Sequence, residues 1–280
     1  MSARDAIRSL ACGFPKSVRE RRPLVVLEAV DGYADDSAET NAAYVLAGWI
    51  STAPRWEDFS EGFEKAGLPR TMHLKNTRRL RGERVRKLAE LTNQYAMYRV
   101  DCLLHQGNYD LTIKGKIDPA IDSPYFVLFF QVIIAAATLL DRIGSDDTVD
   151  WIFDEQGKIG CESVGWYYWI KERAQPNLKR RLGATPIFRD DEKVLPLKAA
   201  DLFAWQIRRH VAYEAPKNEP LSPILESFLG DKYGVSCNFT GEYLEAMARV
   251  LRKDQPIDQT GLMLKAQCQF HLPRKCLLTR

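Results

Sequence analysis

The chain has 280 residues and a mass of 32.0 kDa, and 45% of its residues are hydrophobic while 28% are charged. This composition is typical of a soluble globular protein and excludes a disordered or fibrous chain. Forty Lys and Arg residues oppose 37 Asp and Glu residues, so the net charge of +3 excludes a uniform polycation, and an anionic partner would have to meet a local basic patch.

Two strands and a helix are predicted at the N-terminal end. Residues 1–22 contain no apolar core of a secretory signal, so we expect an irregular basic arm there. The apolar, β-branched run at 24–30 predicts a central strand, and 43–51 predicts a second strand that pairs with it as a hairpin with a long loop. A helix is predicted to begin at Pro54 and to stop at Gly67, because its aromatic residues fall on one stripe.

The segment 69–87 is strongly basic. It carries a single acid, Glu83, and its net charge is +7. The basic residues are Arg70, Lys75, Arg78, Arg79, Arg81, Arg84, Arg86 and Lys87. We predict a basic insertion in which Arg78, Arg79 and Arg81 contact substrate phosphates, and a solvated helix face is the alternative.

Helices and strands alternate through most of the remaining chain. The predicted helices are 83–95, 125–140, 163–173 and 197–213, and the predicted strands or extended pieces are 97–106, 149–154 and 186–189. A bilayer takes about 20 apolar residues, so we expect 125–140 to be a core helix and predict no membrane contact. Residues 214–280 are predicted to form a C-terminal extension with helices near 224–228 and 242–252 and an irregular tail.

This order of elements predicts a mixed α/β (α+β) fold. A hairpin followed by alternating helices and strands predicts a central mixed sheet flanked by helices, and it argues against a purely parallel doubly wound sheet. We place this domain at residues 23–213, between the N-terminal arm and the C-terminal extension. The sequence leaves the oligomeric state open.

The cysteines favour a cytoplasmic protein. They are Cys12, Cys102, Cys161, Cys237, Cys268 and Cys276. Because they lie far apart and form no C-x-x-C pair, we predict reduced, mostly buried thiols and cytoplasmic localisation.

Several common catalytic motifs are absent from the sequence. It contains no Walker A segment, no G-x-G-x-x-G, no G-x-S-x-G and no H-E-x-x-H. Nucleotide hydrolysis through a P-loop, Rossmann cofactor binding, serine hydrolysis and zincin chemistry therefore have no support.

Three carboxylates lie where the predicted structure would bury or enclose them. Glu28 shares side-chain parity with apolar residues of its strand, and burying a charge costs several kcal/mol unless it is paired or bound to a metal. Asp154 ends the strand 149–154 just before a glycine-containing loop, a usual place for a catalytic carboxylate. Asp201 lies at the edge of the apolar stripe of the helix 197–213.

Together these carboxylates predict a divalent-cation site. Mg²⁺ and Mn²⁺ prefer oxygen ligands, and two such ions about 4 Å apart can flank a phosphoryl displacement. Each acid also has a structural interpretation, in which Asp201 pairs with Arg208, Glu28 pairs with a buried arginine and Asp154 caps a turn.

The sequence is similar to a known bacterial family at several points. The stretches that carry the similarity are 24–32, 44–50, 55–59, 72–74, 153–155 and, most specifically, LPLKAADLFAWQ at 195–206. Over residues 23–212 the chain resembles the family known as domain of unknown function 3800. This resemblance implies an RNase H-like fold, a three-layer arrangement with an acidic site.

The resemblance also assigns the acids. The acidic opening strand of the family corresponds to Leu27 and Glu28, where Leu27 replaces one acid and Glu28 keeps a carboxylate. Asp31 would substitute for the missing acid if the strand bends or bulges. Asp154 and Asp201 correspond to the second and the last acid, so the resemblance implies a Mg²⁺ or Mn²⁺ site formed by Glu28, Asp31, Asp154 and Asp201.

Two further residues are assigned in the same way. Lys198 stands where the family has glutamine, and it would either contact a substrate phosphate or neutralise a carboxylate in a site that has lost its metal. His73, in the Met-His-Leu piece, would overhang the site as a proton shuttle, and a structural histidine is the alternative.

Two functional hypotheses follow. The first is a metal-dependent phosphodiesterase or nuclease with Glu28, Asp154, Asp201 and His73 in catalytic roles and nucleic acid as the partner. The second is an inactive RNase H-like module that binds nucleic acid or a partner protein. A glycoside hydrolase, using Glu28 and Asp154 as paired carboxylates, is a weaker third possibility.

Overall fold

The structure is a computed structural model, and it describes residues 3–10, 20–30, 43–72, 82–155, 158–252, 256–257 and 267–271, with the backbone alone at 28–30, 158–159, 267 and 271. The strands are β1 (Pro23–Val30), β2 (Ala43–Thr52), β3 (Tyr98–His105), β4 (Asp150–Asp154), β5 (Ile187–Arg189), β6 (Tyr233–Asn238) and β7 (Gln267–His271). The helices are α1 (Ala3–Leu10), α2 (Ala53–Lys65), α3 (Gly82–Tyr95), α4 (Gln106–Thr112), α5 (Pro124–Arg142), α6 (Lys158–Arg173), α7 (Pro176–Lys179), α8 (Pro196–Arg209), α9 (Pro223–Asp231) and α10 (Gly241–Arg252).

The strands form one mixed sheet in the order β5-β4-β1-β2-β3-β6-β7. β2 pairs antiparallel with β1 and with β3, so the predicted hairpin is confirmed. β4 runs parallel to β1 and to β5, β6 runs parallel to β3, and β7 returns antiparallel to β6.

Helices cover both faces of the sheet. Helices α5, α6 and α10 pack on one face, and α1, α2, α3, α8 and α9 pack on the other. In β1, Val25 and Leu27 enter the core on the α5 side, whereas Leu24 and Val26 enter the core on the α8 side. Burial on both faces explains why residues 24–27 of β1 are all apolar. The predicted mixed α/β fold with helices flanking a mixed sheet is confirmed.

Helix α5 is the central packing element on its side. Ser123 accepts a hydrogen bond from the Tyr125 N–H as the N-cap, and Pro124 occupies the first turn, where proline is tolerated. The helix has 19 residues and is long and apolar enough to cross a membrane, but 83% of its most apolar window is buried inside the protein. The prediction of a core helix is therefore confirmed.

Both ends of the chain differ from expectation. Residues 3–10 form helix α1 instead of an irregular arm, because Ala3, Ala6 and Ile7 bury one side of it against α2. Arg8 Nε donates to Glu57 Oε2 of α2 at 3.1 Å. The C-terminal helices are confirmed as α9 and α10, but β6 and β7 were not predicted, and they extend the central sheet beyond the expected boundary at residue 213.

The prediction of reduced thiols is wrong for one pair. Cys237 and Cys268 are joined by a disulfide, and they lie opposite each other in the register of β6 and β7. Spacing along the chain does not reveal this, because the pairing of β6 with β7 places them together. Cys102 and Cys161 are free thiols, the first buried and the second exposed.

Gly48 allows β2 to approach β1 closely. A Cβ atom at Gly48 would overlap the carbonyl oxygen of Val26 in the neighbouring strand. We expect Gly48→Ala to lower the free energy of unfolding by about 2–3 kcal/mol or more, because backbone in the centre of the sheet would have to move. The measurement is denaturant unfolding.

Gly165, in the middle of α6, gives the matched control, because a Cβ atom there would meet nothing within 4 Å. Gly165→Ala is expected to raise stability by about 0.5–1 kcal/mol, since alanine restricts the unfolded chain and favours the helix. Equal effects at the two positions would contradict this account of Gly48.

Candidate active site

The ends of β1 and β4 bring two predicted acids to neighbouring positions. Leu27 is level with Phe153 in the parallel pairing, so one further step places position 28 beside position 154. Asp154 is the last residue of β4 and is half-buried. The C-terminal ends of the adjacent parallel strands β1 and β4 therefore carry Glu28 and Asp154, so both acids lie at the same end of these strands.

Helix α8 lies across this part of the sheet. Trp49, which is opposite Val26 in the hairpin, donates its indole N–H to the Ala199 carbonyl oxygen at 3.0 Å. Only residues 190–195 separate α8 from β5, and β5 runs parallel to β4, so the first turn of α8 lies near the same edge. Asp201 is half-buried and lies about 7.5 Å along the axis from the start of the helix.

A buried ion pair ties α8 to the loop before it. Lys198 Nζ lies 2.6 Å from Asp191 Oδ2, and the two side chains are 1% and 10% exposed. The anion paired with Lys198 is thus Asp191, seven positions earlier in the chain. Asp191 is missing from the residues predicted from the sequence, although its position just after the extended piece 186–189 is the kind of signal that singled out Asp154.

The loop that carries Asp191 is itself held by polar contacts. Asp190 Oδ1 accepts a hydrogen bond from the backbone N–H of Glu192 at 2.9 Å, and Lys193 Nζ lies 3.3 Å from Asp190 Oδ2. The backbone hydrogen bond is the main cause that lowers the pKa of Asp190, so this carboxylate stays ionised to lower pH than an ordinary aspartate.

Leu27 lies away from the α8 side of the sheet. Its side chain is fully buried in the core formed with α5. A carboxylate at position 27 would therefore have to enter the apolar core on the α5 side of the sheet. The presence of leucine at this position thus removes no acid from the face that α8 covers.

Comparisons with protein-family models and with curated proteins give no family for the chain. No protein-family model matches it, and no curated protein matches it. The similarity to domain of unknown function 3800 is therefore carried by the sequence stretches given above, and it stays a prediction.

Several predicted site residues lie outside the described residues. They are Asp31, His73, Arg78, Arg79 and Arg81. Within the described part of the basic segment, Arg70 pairs with Glu64, Lys87 lies 3.1 Å from Glu83, and Arg86 lies 3.9 Å from Glu90. The phosphate-binding role of the segment stays a prediction.

Only two of the four predicted metal ligands, Asp154 and Asp201, have described side chains. Among the described residues, no three His, Cys, Asp or Glu side chains lie close enough together to hold an ion. The described side chains include those of Asp154, Asp191 and Asp201, but not those of Glu28 or Asp31. A three-ligand metal site at this end of the strands therefore requires at least one ligand from outside the described side chains, and the prediction assigns that role to Glu28 and Asp31.

Proposed function

We propose that this protein is a divalent-metal-dependent phosphodiesterase that cleaves nucleic acid. The observation that carries the proposal is the arrangement at one edge of the sheet. Positions 28 and 154 are level on neighbouring parallel strands, and Asp201 belongs to α8, which packs on the face of the sheet opposite α5. The carboxyl edge of parallel strands is a usual place for functional carboxylates in α/β proteins.

We further propose that the sheet is RNase H-like. The order β5-β4-β1-β2-β3 supports this, because three antiparallel strands are followed, across a helix, by two strands parallel to the first. A central mixed sheet with helices on both faces is what the resemblance implies. The residues that the resemblance assigns as acids, Glu28, Asp154 and Asp201, belong to β1, β4 and α8.

The donor set suits a hard cation. Carboxylate oxygens are the ligands that Mg²⁺ and Mn²⁺ prefer, and Asp154 and Asp201 are both half-buried. Glu28, Asp154 and Asp201, with Asp31 in support, would hold one or two ions. Bound Mg²⁺ or Mn²⁺ would supply activation of water and stabilisation of charge on the phosphoryl group.

Other residues would bind substrate or move a proton. Arg78, Arg79 and Arg81 would contact backbone phosphates, which orients the strand without reading its sequence. His73 would carry a proton at its imidazole. The Lys198–Asp191 pair would keep the first turn of α8, and with it Asp201, in a fixed position relative to β5.

The proposed function is tested with the wild-type protein. Mn²⁺ and Mg²⁺ are titrated into it by calorimetry, and cleavage is followed on short single-stranded and double-stranded DNA and RNA. We expect saturable binding and cleavage that EDTA abolishes and added Mg²⁺ or Mn²⁺ restores. No heat of binding and no cleavage at millimolar metal would contradict the proposal.

An inactive module that binds nucleic acid or a partner protein is the second candidate. It is favoured by the buried Lys198 ammonium one helical turn from Asp201, and by the lack of a three-residue ligand group among the described residues. This candidate predicts metal-independent nucleic-acid binding that weakens steeply with salt. Lys198→Gln tests whether the ammonium of Lys198 prevents metal binding. Unchanged metal affinity in this variant would show that Lys198 does not cause inactivity.

A further inference from the structure

Gln131 places a buried amide against two sulfur atoms. It interrupts the apolar helix α5 and is fully buried in the core on that side of the sheet. Its Nε2 lies 3.5 Å from Sγ of both Cys237 and Cys268, and its Oε1 accepts a hydrogen bond from the Tyr243 hydroxyl. Neutral sulfur is a weak acceptor, whereas a charged acceptor forms a stronger hydrogen bond, so this amide favours a thiolate at either sulfur.

A third cysteine lies in the same row. Cys102 in β3 is level with Cys237 in β6, and Cys237 is level with Cys268 in β7. All three belong to the core on the α5 side, with Cys102 1% and Cys237 2% exposed and Cys268 half-buried at the edge strand. Cys102 and Cys268 therefore flank Cys237 from opposite sides.

We propose that these three cysteines form a thiol–disulfide exchange site, in which the disulfide moves between Cys237–Cys268 and Cys102–Cys237. The Cys102 thiol gives its proton to water, and the thiolate attacks Cys237 Sγ. The Cys102–Cys237 bond forms while the Cys237–Cys268 bond breaks, and Cys268 leaves as a thiolate that takes up a proton. One disulfide is exchanged for another, so the step has no net oxidation or reduction.

The geometry suits this exchange. Neighbouring strands lie about 4.8 Å apart, which is within the range of Cα separations that a disulfide spans. Attack from Cys102 approaches Cys237 on the side away from the leaving sulfur of Cys268. Burial raises the pKa of the Cys102 thiol, so the exchange is slow.

The exchange has a structural consequence. β7 is an edge strand and pairs with β6 within the described sheet. Once the disulfide has moved to Cys102–Cys237, the covalent link between these two strands is lost. The site therefore controls whether β7 is held covalently.

The test uses full-length protein in which Cys12, Cys161 and Cys276 are replaced by serine. The remaining cysteines are then Cys102, Cys237 and Cys268. The native protein is incubated with N-ethylmaleimide and no reductant, then unfolded, digested and examined by mass spectrometry. We expect Cys268 to become alkylated over time together with a linked Cys102–Cys237 peptide. In Cys102→Ser the disulfide should stay at Cys237–Cys268, and Gln131→Leu should slow the exchange about ten-fold or more.

Two results would overturn the proposal. One is alkylation of Cys268 at the same rate with and without Cys102, which includes the case of no alkylation in either protein. The other comes from Cys268→Ser treated with the thiol oxidant diamide. We expect a Cys102–Cys237 disulfide in this variant, and two free thiols would show that the sulfurs do not meet.

Discussion

Replacing Asp154 with asparagine is expected to reduce Mg²⁺- or Mn²⁺-dependent cleavage of nucleic acid by about 100-fold or more, and Asp201→Asn should do the same. Asparagine keeps the size of the side chain but removes the charge that holds a hard cation. Loss of outer-shell partners of metal ligands already costs about 10–100-fold in affinity or activity, so a direct ligand should cost at least as much. Cleavage rates at fixed metal and calorimetric metal affinities measure the effect.

Asp147 provides the matched control for this prediction. It precedes β4 at the opposite end of that strand and lies 3.5 Å from Arg21. Asp147→Asn makes the same chemical change in the segment just before the same strand, and it should leave cleavage and metal affinity unchanged. Full activity in Asp154→Asn, or equal losses in all three variants, would contradict an active site at the carboxyl edge of β1 and β4.

Much of the fold was predictable because local signals agree with it. The β-branched run of β1 is buried on both faces, and the aromatic stripe of α2 packs into the core. Composition and periodicity therefore predicted the same strand and helix that tertiary packing stabilises. Asp154 and Asp201 were predictable as candidates for the same reason. Each is an acid at the margin of an apolar element.

What the sequence did not reveal depends on contacts between distant segments. Tyr233–Asn238 (β6) contains glycine, serine and asparagine, and it becomes a strand by pairing with β3. Half of the residues of helix α1 are polar, and the helix is stabilised by burial of its apolar side against α2. Asp191 becomes part of the candidate site through Lys198, a contact that needs the turn from β5 into α8.

The buried pair of Lys198 and Asp191 is expected to contribute strongly to stability. Lys198→Met should lower the free energy of unfolding by about 3–5 kcal/mol, because it removes the ammonium that lies 2.6 Å from the buried carboxylate of Asp191. The double variant with Lys198→Met and Asp191→Leu should recover most of that loss, since it removes both charges of the buried pair together. Guanidinium unfolding of the two single variants and the double variant gives the coupling energy.

An exposed ion pair with the same N–O distance shows whether burial or distance determines the loss of stability. Lys65 Nζ also lies 2.6 Å from a carboxylate, Glu61 Oε1, but the two side chains are 73% and 39% exposed. Lys65→Met should therefore leave stability nearly unchanged, because water screens the pair. If Lys198→Met were equally harmless, the ammonium of Lys198 would not be fixed by Asp191. It could then reach a phosphate, and its role would be in substrate binding rather than in holding α8 against the loop after β5.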